Sequence, residues 1–402
     1  MTTEIPVGLE PGPVDIRGAD PRLGAARIHV IDIADGRVVF DRDGDLPGPT
    51  ASVLKLLTSA AALAALGPDH RIATRVVSGA EPGEIVLVGG GDVTLTRLPV
   101  GTASFYRSSA HLETLAGAVL AAVGEGVVDR LVLDDTLFTG EPWLPEWDVE
   151  GRSPEGYIPF ITALQVDGDR DDPTIDDTPR SEDPVGRVGA AFAALIGRGR
   201  EIRVTRGRAL PTAQVLAEVF SPPLSELIRF GLETSDNALM ESLARLSAIA
   251  IGESADFDGV SRAVPALLSR YGLPVGQLTV RDGSGLSDRN AVPARFVAEL
   301  LVRARRGEHG LGVIDEMLPA TGPNGTFNRR RFTGDEAVVG DAVRAKTGFI
   351  NIVCSLGGIV RAADGTELAF TVYAIGEMMG DPARAAIDAF VAGLYLDGGG
   401  TA

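Results

Sequence analysis

Apolar and polar positions along the chain fall into blocks of different rhythm. Residues 26–32 and 37–40 run or alternate apolar around Asp35-Gly36, the pattern of a β-hairpin. Pro47 and Pro49 stop the strand, Thr50 is a candidate N-cap, and 51–66 is almost wholly apolar until Gly67-Pro68. A helix apolar on every side is a central one, covered on most faces. From 72 to about 214 short strands such as 72–77 and 84–88 alternate with glycine turns, and 108–123 has a helical rhythm. A second helical block follows Ser221-Pro222-Pro223, with helices predicted over 224–232 and from about 238 to 249. Further helices are predicted over 293–306 and 312–318. Strands are predicted over 343–347, 352–361 and 368–374, and an amphipathic helix over 381–396. Strands at both ends with a helix-rich middle predict an α+β fold, one antiparallel sheet assembled from both termini. A discontinuous domain of 22–70 and 215–402 would then carry 71–214 as an inserted domain.

Composition narrows the function classes. A chain of 402 residues suggests two domains, and 45% hydrophobic with 23% charged residues is ordinary globular material. A net charge of −18 argues against nucleic acid and against electrostatic docking on anionic lipid, both of which need a positive counter-surface. With Cys354 as the single cysteine, no intrachain disulfide forms. The N-terminal residues have neither a basic nor an apolar leader region, which predicts either a cytosolic protein or a mature or trimmed form. Residues 167–183 hold eight acidic residues against two arginines and read as a solvated acidic loop. Asp167, Asp169 and Asp171 have the opening spacing of a calcium loop, but Asp172 stands where its glycine should be and Thr178 where its bidentate glutamate should be.

Lysine usage is the sharpest chemical signal. Lys55 and Lys346 are the only lysines; the other 35 basic residues are arginine. On a solvated surface the two residue types serve about equally, but only lysine loses its proton at accessible pH, so a lysine that must act as a base or a compact charge is the kind that survives such a bias. Lys55 lies in Ser52-Val53-Leu54-Lys55, where a three-residue spacing puts hydroxyl and amine on one helical face. Leu54, Leu56 and Leu57 surround the amine with hydrocarbon, which favours its neutral form. No metal is expected, because His29, His70, His111 and His309 sit at no metal-ligand spacing, and no Gly-x-Ser-x-Gly elbow is present. A serine enzyme in this chain needs a base other than histidine, and Lys55 is the candidate.

Ser52-x-x-Lys55, Ser235-Asp236-Asn237 and Lys346-Thr347-Gly348, in that order, resemble the three-motif signature of the penicillin-recognising serine acyltransferases. The long gap between the first two motifs resembles the penicillin-binding protein 4 group, the DacB-like S13 D-alanyl-D-alanine carboxypeptidases, which carry extra domains there. Gly91 to Thr96, Trp147-Asp148, Ser221 to Leu224, Asp282 to Ser287 and Gly325-Thr326 are similar to that family as well. The resemblance implies a penicillin-recognising, transpeptidase-like α+β domain with no cofactor. Its substrates would be peptidoglycan stem peptides ending in D-Ala-D-Ala, with β-lactams as covalent inhibitors and carboxypeptidase or endopeptidase action. An exported protein follows from that substrate, with its leader or anchor outside this sequence.

The same resemblance implies residue roles. Ser52 would be the nucleophile, Lys55 its base, and Ser235 the proton relay, while Asn237 holds Lys55 and the substrate amide. Lys346 and Thr347 would bind the terminal carboxylate, with Gly348 allowing close approach and the N–H groups of Ser52 and Phe349 forming an oxyanion hole. Trp147 and Asp148 would receive the free amine of the third stem residue, and Arg289 would stand at the side-chain pocket. Three departures from the family pattern are visible: Phe349 replaces the usual threonine after Lys-Thr-Gly, Asp288 precedes Arg289 where a basic residue is common, and the family's third domain is cut down to little more than 167–183. A β-lactamase is one alternative, although no Glu-x-x-Leu-Asn lies between Asn237 and Lys346. A non-catalytic peptidoglycan-binding module is another.

Overall fold

The computed structural model describes residues 14–323, 325–327 and 331–398; the lead-in up to residue 13 lies outside them. The chain divides into two compact units, residues 1–64, 231–235 and 261–402 in the first, 65–230 and 236–260 in the second.

The first unit is built on the expected antiparallel sheet from both termini. Its strand order is Val343–Ile350, Val353–Arg361, Glu367–Ile375, Arg27–Asp32, Val38–Arg42. Helix Ala294–Arg305 packs on one face and helix Asp381–Asp397 on the other. With both faces covered, alternation gives way to continuous burial: every residue of Val353–Arg361 except the last is buried. Ile28, Val30, Leu368, Phe370 and Val372 share one core with Ile387, Phe390 and Val391 of the closing helix. Val343–Ile350 is an edge strand, paired only with Val353–Arg361 within the sheet.

The second unit has its own sheet, in the order Arg203–Arg206, Arg130–Asp134, Glu84–Val88, Ala73–Ser78, Val215–Phe220, with helices Leu112–Val123 and Pro184–Gly197 sharing its core. Its last strand lies beyond the boundary expected at 214, and helix Asn237–Ala250 also belongs to this unit. Val215–Phe220 reads like any half-buried strand, so its pattern gives no hint of which sheet it completes. The helix expected from 108 starts at Leu112, because Thr96 and His111 form a β-bridge that keeps the preceding residues extended.

The stretch 167–183 is solvated only in part. Asp167, Asp169, Arg170 and Arg180 are buried. The Asp167 carboxylate takes the Arg97 guanidinium at 2.9 Å, and that of Asp169 takes the Ser181 hydroxyl and Arg187. Two of the eight acidic residues are thus part of an internal ion-pair network, the condition under which buried charge is tolerated, while the other six are exposed.

Candidate active site

The first motif sits where a 3-10 turn, Ala51–Val53, runs into helix Leu54–Leu66. Thr50 precedes the turn but its hydroxyl does not cap it; its carbonyl instead accepts the backbone N–H of Val53 and the Ser355 hydroxyl. Ala51 is held at φ +43°, a left-handed conformation uncommon for a side-chain-bearing residue, directly before Ser52. Gly285, at φ +90°, lies against it: a Cβ there would come within 2.0 Å of the Ala51 carbonyl oxygen.

That contact belongs to a turn, Asp282 to Ser287, which completes the surroundings of Lys55. The Lys55 amine donates to Ser52 Oγ at 2.7 Å and to the Ser284 carbonyl at 2.7 Å. The Thr58 hydroxyl, one helical turn on, donates to the Gly283 carbonyl. The turn keeps its shape through the buried Asp282 carboxylate, which accepts the N–H groups of Gly285 and Ser287 and the side-chain amide of Asn290. Sequence reading noted the stretch without giving it a task; the Asp-Gly-Ser-Gly spacing was the available signal.

The third motif lies on the edge strand Val343–Ile350. Lys346 is only 1% exposed and donates to Ser235 Oγ and to the Thr347 carbonyl, both at 2.9 Å. Burial pushes Lys346 well below the ordinary lysine value, and Lys55 adds to the shift whenever it is protonated. Gly348 is required by approach: a Cβ would lie 2.2 Å from Ser355 Oγ and 2.8 Å from the backbone N of Ser52. The strand backbone therefore runs directly against the backbone N–H of Ser52, as the expected oxyanion hole from Ser52 and Phe349 requires. Ser52, Ser235, Thr347, Gly348 and Phe349 line one cavity of about 650 Å³ in the first unit.

The second motif is split between the units after Ser235. Ser235 is held at φ +62°, and Asp236 is the N-cap of helix Asn237–Ala250, its carboxylate accepting the Leu239 N–H at 2.7 Å. The other carboxylate oxygen accepts Arg170 Nη2 at 2.8 Å and the Tyr106 hydroxyl at 3.0 Å. Burial alone would push Asp236 up, but Arg170 beside it wins and holds it below the usual carboxylate range. Arg170 is itself held by the carbonyls of Asp167 and Asp176 and lies over the Phe105 ring, 4.0 Å from its centroid. Arg180 donates to the carbonyls of Gly156 and Gly168; burial and the neighbouring Arg170 charge push it down to about 10. The Asn237 amide donates to the Tyr157 carbonyl at 3.0 Å.

The remaining expectations fare differently. Trp147 is 4% exposed and packs edge-on against Trp143 and Phe257, so its ring is part of an aromatic core and offers an ammonium no open face. Asp148 is exposed, with its carboxylate accepting the Glu150 N–H of the following turn. An aromatic beside an acid in sequence says nothing about which of the two the core takes. Arg289 is exposed on the Asp282 turn, its N–H bonded to Ser287 Oγ. Among the described residues no group of three His, Cys, Asp or Glu side chains is placed to hold a metal ion. No described helix is long and apolar enough to cross a membrane.

Comparison with known proteins places this geometry. The family model of the D-Ala-D-Ala carboxypeptidase 3 (S13) family matches residues 12–195 and 178–394. The chain is 34% identical over 389 residues to carboxypeptidase DacB of Mycolicibacterium smegmatis, covering 95% of this chain and 83% of that protein. It is 30% identical to the D-alanyl-D-alanine carboxypeptidase of Actinomadura sp. strain R39, covering 88% and 78% of the two chains. The crystal structure of penicillin binding protein 4 (dacB) from Haemophilus influenzae superposes with a TM-score of 0.73 at 20% identity, over 96% of this chain and 98% of that one, and shows the same fold. With the family model and the mycobacterial relative each spanning nearly all of it, the chain belongs to the D-Ala-D-Ala carboxypeptidase 3 (S13) family.

Proposed function

We propose that the protein is a serine-type D-alanyl-D-alanine carboxypeptidase acting on peptidoglycan stem peptides through an acyl-enzyme on Ser52, and that β-lactams acylate the same oxygen. The observation that carries this is the pair of hydroxyl–amine contacts, Ser52 with Lys55 and Ser235 with Lys346, opening on one cavity. The neutral Lys55 amine takes the Ser52 proton as Oγ attacks the carbonyl of the penultimate D-alanine. The N–H groups of Ser52 and Phe349 receive the oxyanion. The peptide C–N bond then breaks, and the departing amine takes a proton delivered through Ser235, leaving the acyl group on Ser52. Water, deprotonated by Lys55, hydrolyses the ester and restores the serine.

Lys346 and Thr347 hold the terminal carboxylate. A lysine held low by burial gains its proton more readily once an anion arrives, so carboxylate binding and protonation of Lys346 are coupled. Asn237 is the candidate for the substrate amide, and the exposed carboxylate of Asp148 remains the candidate for the free amine of the third stem residue. Because stem peptides lie outside the cytoplasmic membrane, the enzyme works extracytoplasmically.

Release of free D-alanine from an N-acylated peptide ending in D-Ala-D-Ala tests the assignment. The wild type should release it and Ser52→Ala should not. Sustained rather than burst hydrolysis of nitrocefin, without D-alanine release, would favour a β-lactamase instead.

A further inference from the structure

Phe349 removes a hydroxyl from the place where the family pattern has one, and the structure puts a cation there. Phe349 is two residues beyond Thr347 on the same strand, so both side chains point to one face of it. Phe349 is 44% exposed. The Arg384 guanidinium, from the first turns of helix Asp381–Asp397, lies over that ring with its carbon 4.4 Å from the centroid. Arg384 and Phe349 line the same cavity as Ser52, Ser235 and Thr347.

The other charges of that cavity bear on what Arg384 can do. Arg331 is closed off by a bidentate bond to Asp388, Nη2 to Oδ1 at 2.6 Å and Nε to Oδ2 at 2.9 Å. Arg384 donates Nη1 to Asp381 at 2.7 Å, but Asp381 is almost fully exposed, and a solvated i,i+3 pair of this kind neutralises little. Glu336 stands on the same wall. The lining therefore carries both signs, and attraction for an anion must come from local contact with Arg384 rather than from the field of the whole cavity. Stacking on Phe349 limits the guanidinium to one plane; Asp381 takes Nη1 and the Cys354 sulfur is a further partner, and the N–H groups not used by these two are the ones left for a ligand.

We propose that Arg384, seated on Phe349, is a specificity-determining residue that binds the substrate's terminal carboxylate together with Lys346 and Thr347, in place of the hydroxyl missing at position 349. The proposal rests on the acyl-enzyme reading of Ser52.

The test compares two probes, benzylpenicillin with its free carboxylate and benzylpenicillin methyl ester, by the second-order rate of adduct formation in intact-mass spectra. Arg384→Gln should lower the acid-to-ester rate ratio about tenfold, Arg384→Lys should recover most of it, and Phe349→Leu, which removes the stacking surface, should lower it less than Arg384→Gln. An unchanged ratio in soluble, folded Arg384→Gln overturns the proposal, as does an equal loss on both probes. If the wild type forms no adduct with either probe, the acyl-enzyme reading fails and takes this proposal with it.

Discussion

Lys55 and Lys346 in the first unit and Arg170 and Arg180 in the second are buried to nearly the same degree, at 0%, 1%, 1% and 4% exposure. Their partners differ. The lysines donate to two serine hydroxyls and to the carbonyls of Ser284 and Thr347. Arg170 is paired with a buried carboxylate, and the two arginines divide five backbone carbonyl contacts between them, from Gly156, Asp167, Gly168 and Asp176. A cation set against hydroxyls can give up its proton and take it back. One matched to a carboxylate and carbonyls through a rigid fork stays charged and fixes geometry. On the proposed mechanism the chain uses lysine where the proton must move and arginine where it must not.

Exchanging these roles should break the two regions in different ways. The largest effect is expected from Lys55→Arg, which keeps the charge but cannot accept the Ser52 proton. Acylation by penicillin should fall by roughly a thousandfold, within the range for a lost general base, with little change in Tm; a loss under tenfold would remove Lys55 as the base. Arg170→Met should instead act on stability. Asp236 would be left buried without its ion-pair partner, holding only the Tyr106 hydroxyl and the Leu239 N–H, at a cost of about 3–5 kcal/mol measurable by urea unfolding. The sign of its pH dependence follows: a depressed carboxylate stabilises above its unfolded value and loses that contribution as pH falls through its folded value. Removing Arg170 should therefore flatten the acid limb of the stability curve. A wild-type acid limb in the variant would mean that Asp236 does not depend on Arg170.

Lys346→Arg sharpens the contrast at the substrate end. The larger head group should cost about 100-fold in acylation, the scale of a lost oxyanion donor. Lys346 is held well below the usual lysine value, and carboxylate binding needs its charge, so kcat/KM of the wild type should fall on the alkaline side as this lysine loses its proton. In Lys346→Arg, with a group that stays charged, that limb should move to higher pH even though the absolute rate is low. An unmoved limb would assign it to another group. The smallest effect is expected at Asp148. A solvent-exposed ion pair contributes about 0.2–1 kcal/mol, so Asp148→Asn should lower the preference for a stem peptide with a free side-chain amine over its acetylated twin by no more than about fivefold. An unchanged preference would remove Asp148 from the site.

The chemistry was more legible in the sequence than its setting. Ser52, Lys55, Ser235 and Lys346 stood out because the arginine bias left so few lysines and each survivor lay in a short motif; the structure brings those four side chains into hydrogen-bonded pairs. The sheet from both termini was legible because strands Arg27–Asp32, Val353–Arg361 and Glu367–Ile375 are strongly apolar. Within 167–183 six acidic residues are exposed as expected, but charge in a sequence is read as solvation, and Asp167, Asp169, Arg170 and Arg180 are buried through tertiary contacts that no local pattern encodes. Trp147 misled in the same way, since burial of an aromatic is decided by Trp143 and Phe257 rather than by the aspartate next to it. Arg384 could not be tied to the site at all, lying 35 residues past Phe349 on another element, visible only once the strand and the closing helix are packed together.

The central claim is that Ser52 is the oxygen that becomes acylated, with Lys55 as its base. Intact-mass measurement of wild type, Ser52→Ala and Lys55→Arg after incubation with benzylpenicillin tests it most directly. One penicilloyl adduct on the wild type, mapped to the peptide containing Ser52, with none on Ser52→Ala and only slow formation on Lys55→Arg, is the expected result. An adduct that persists on Ser52→Ala, or forms on Lys55→Arg as fast as on the wild type, would contradict the account.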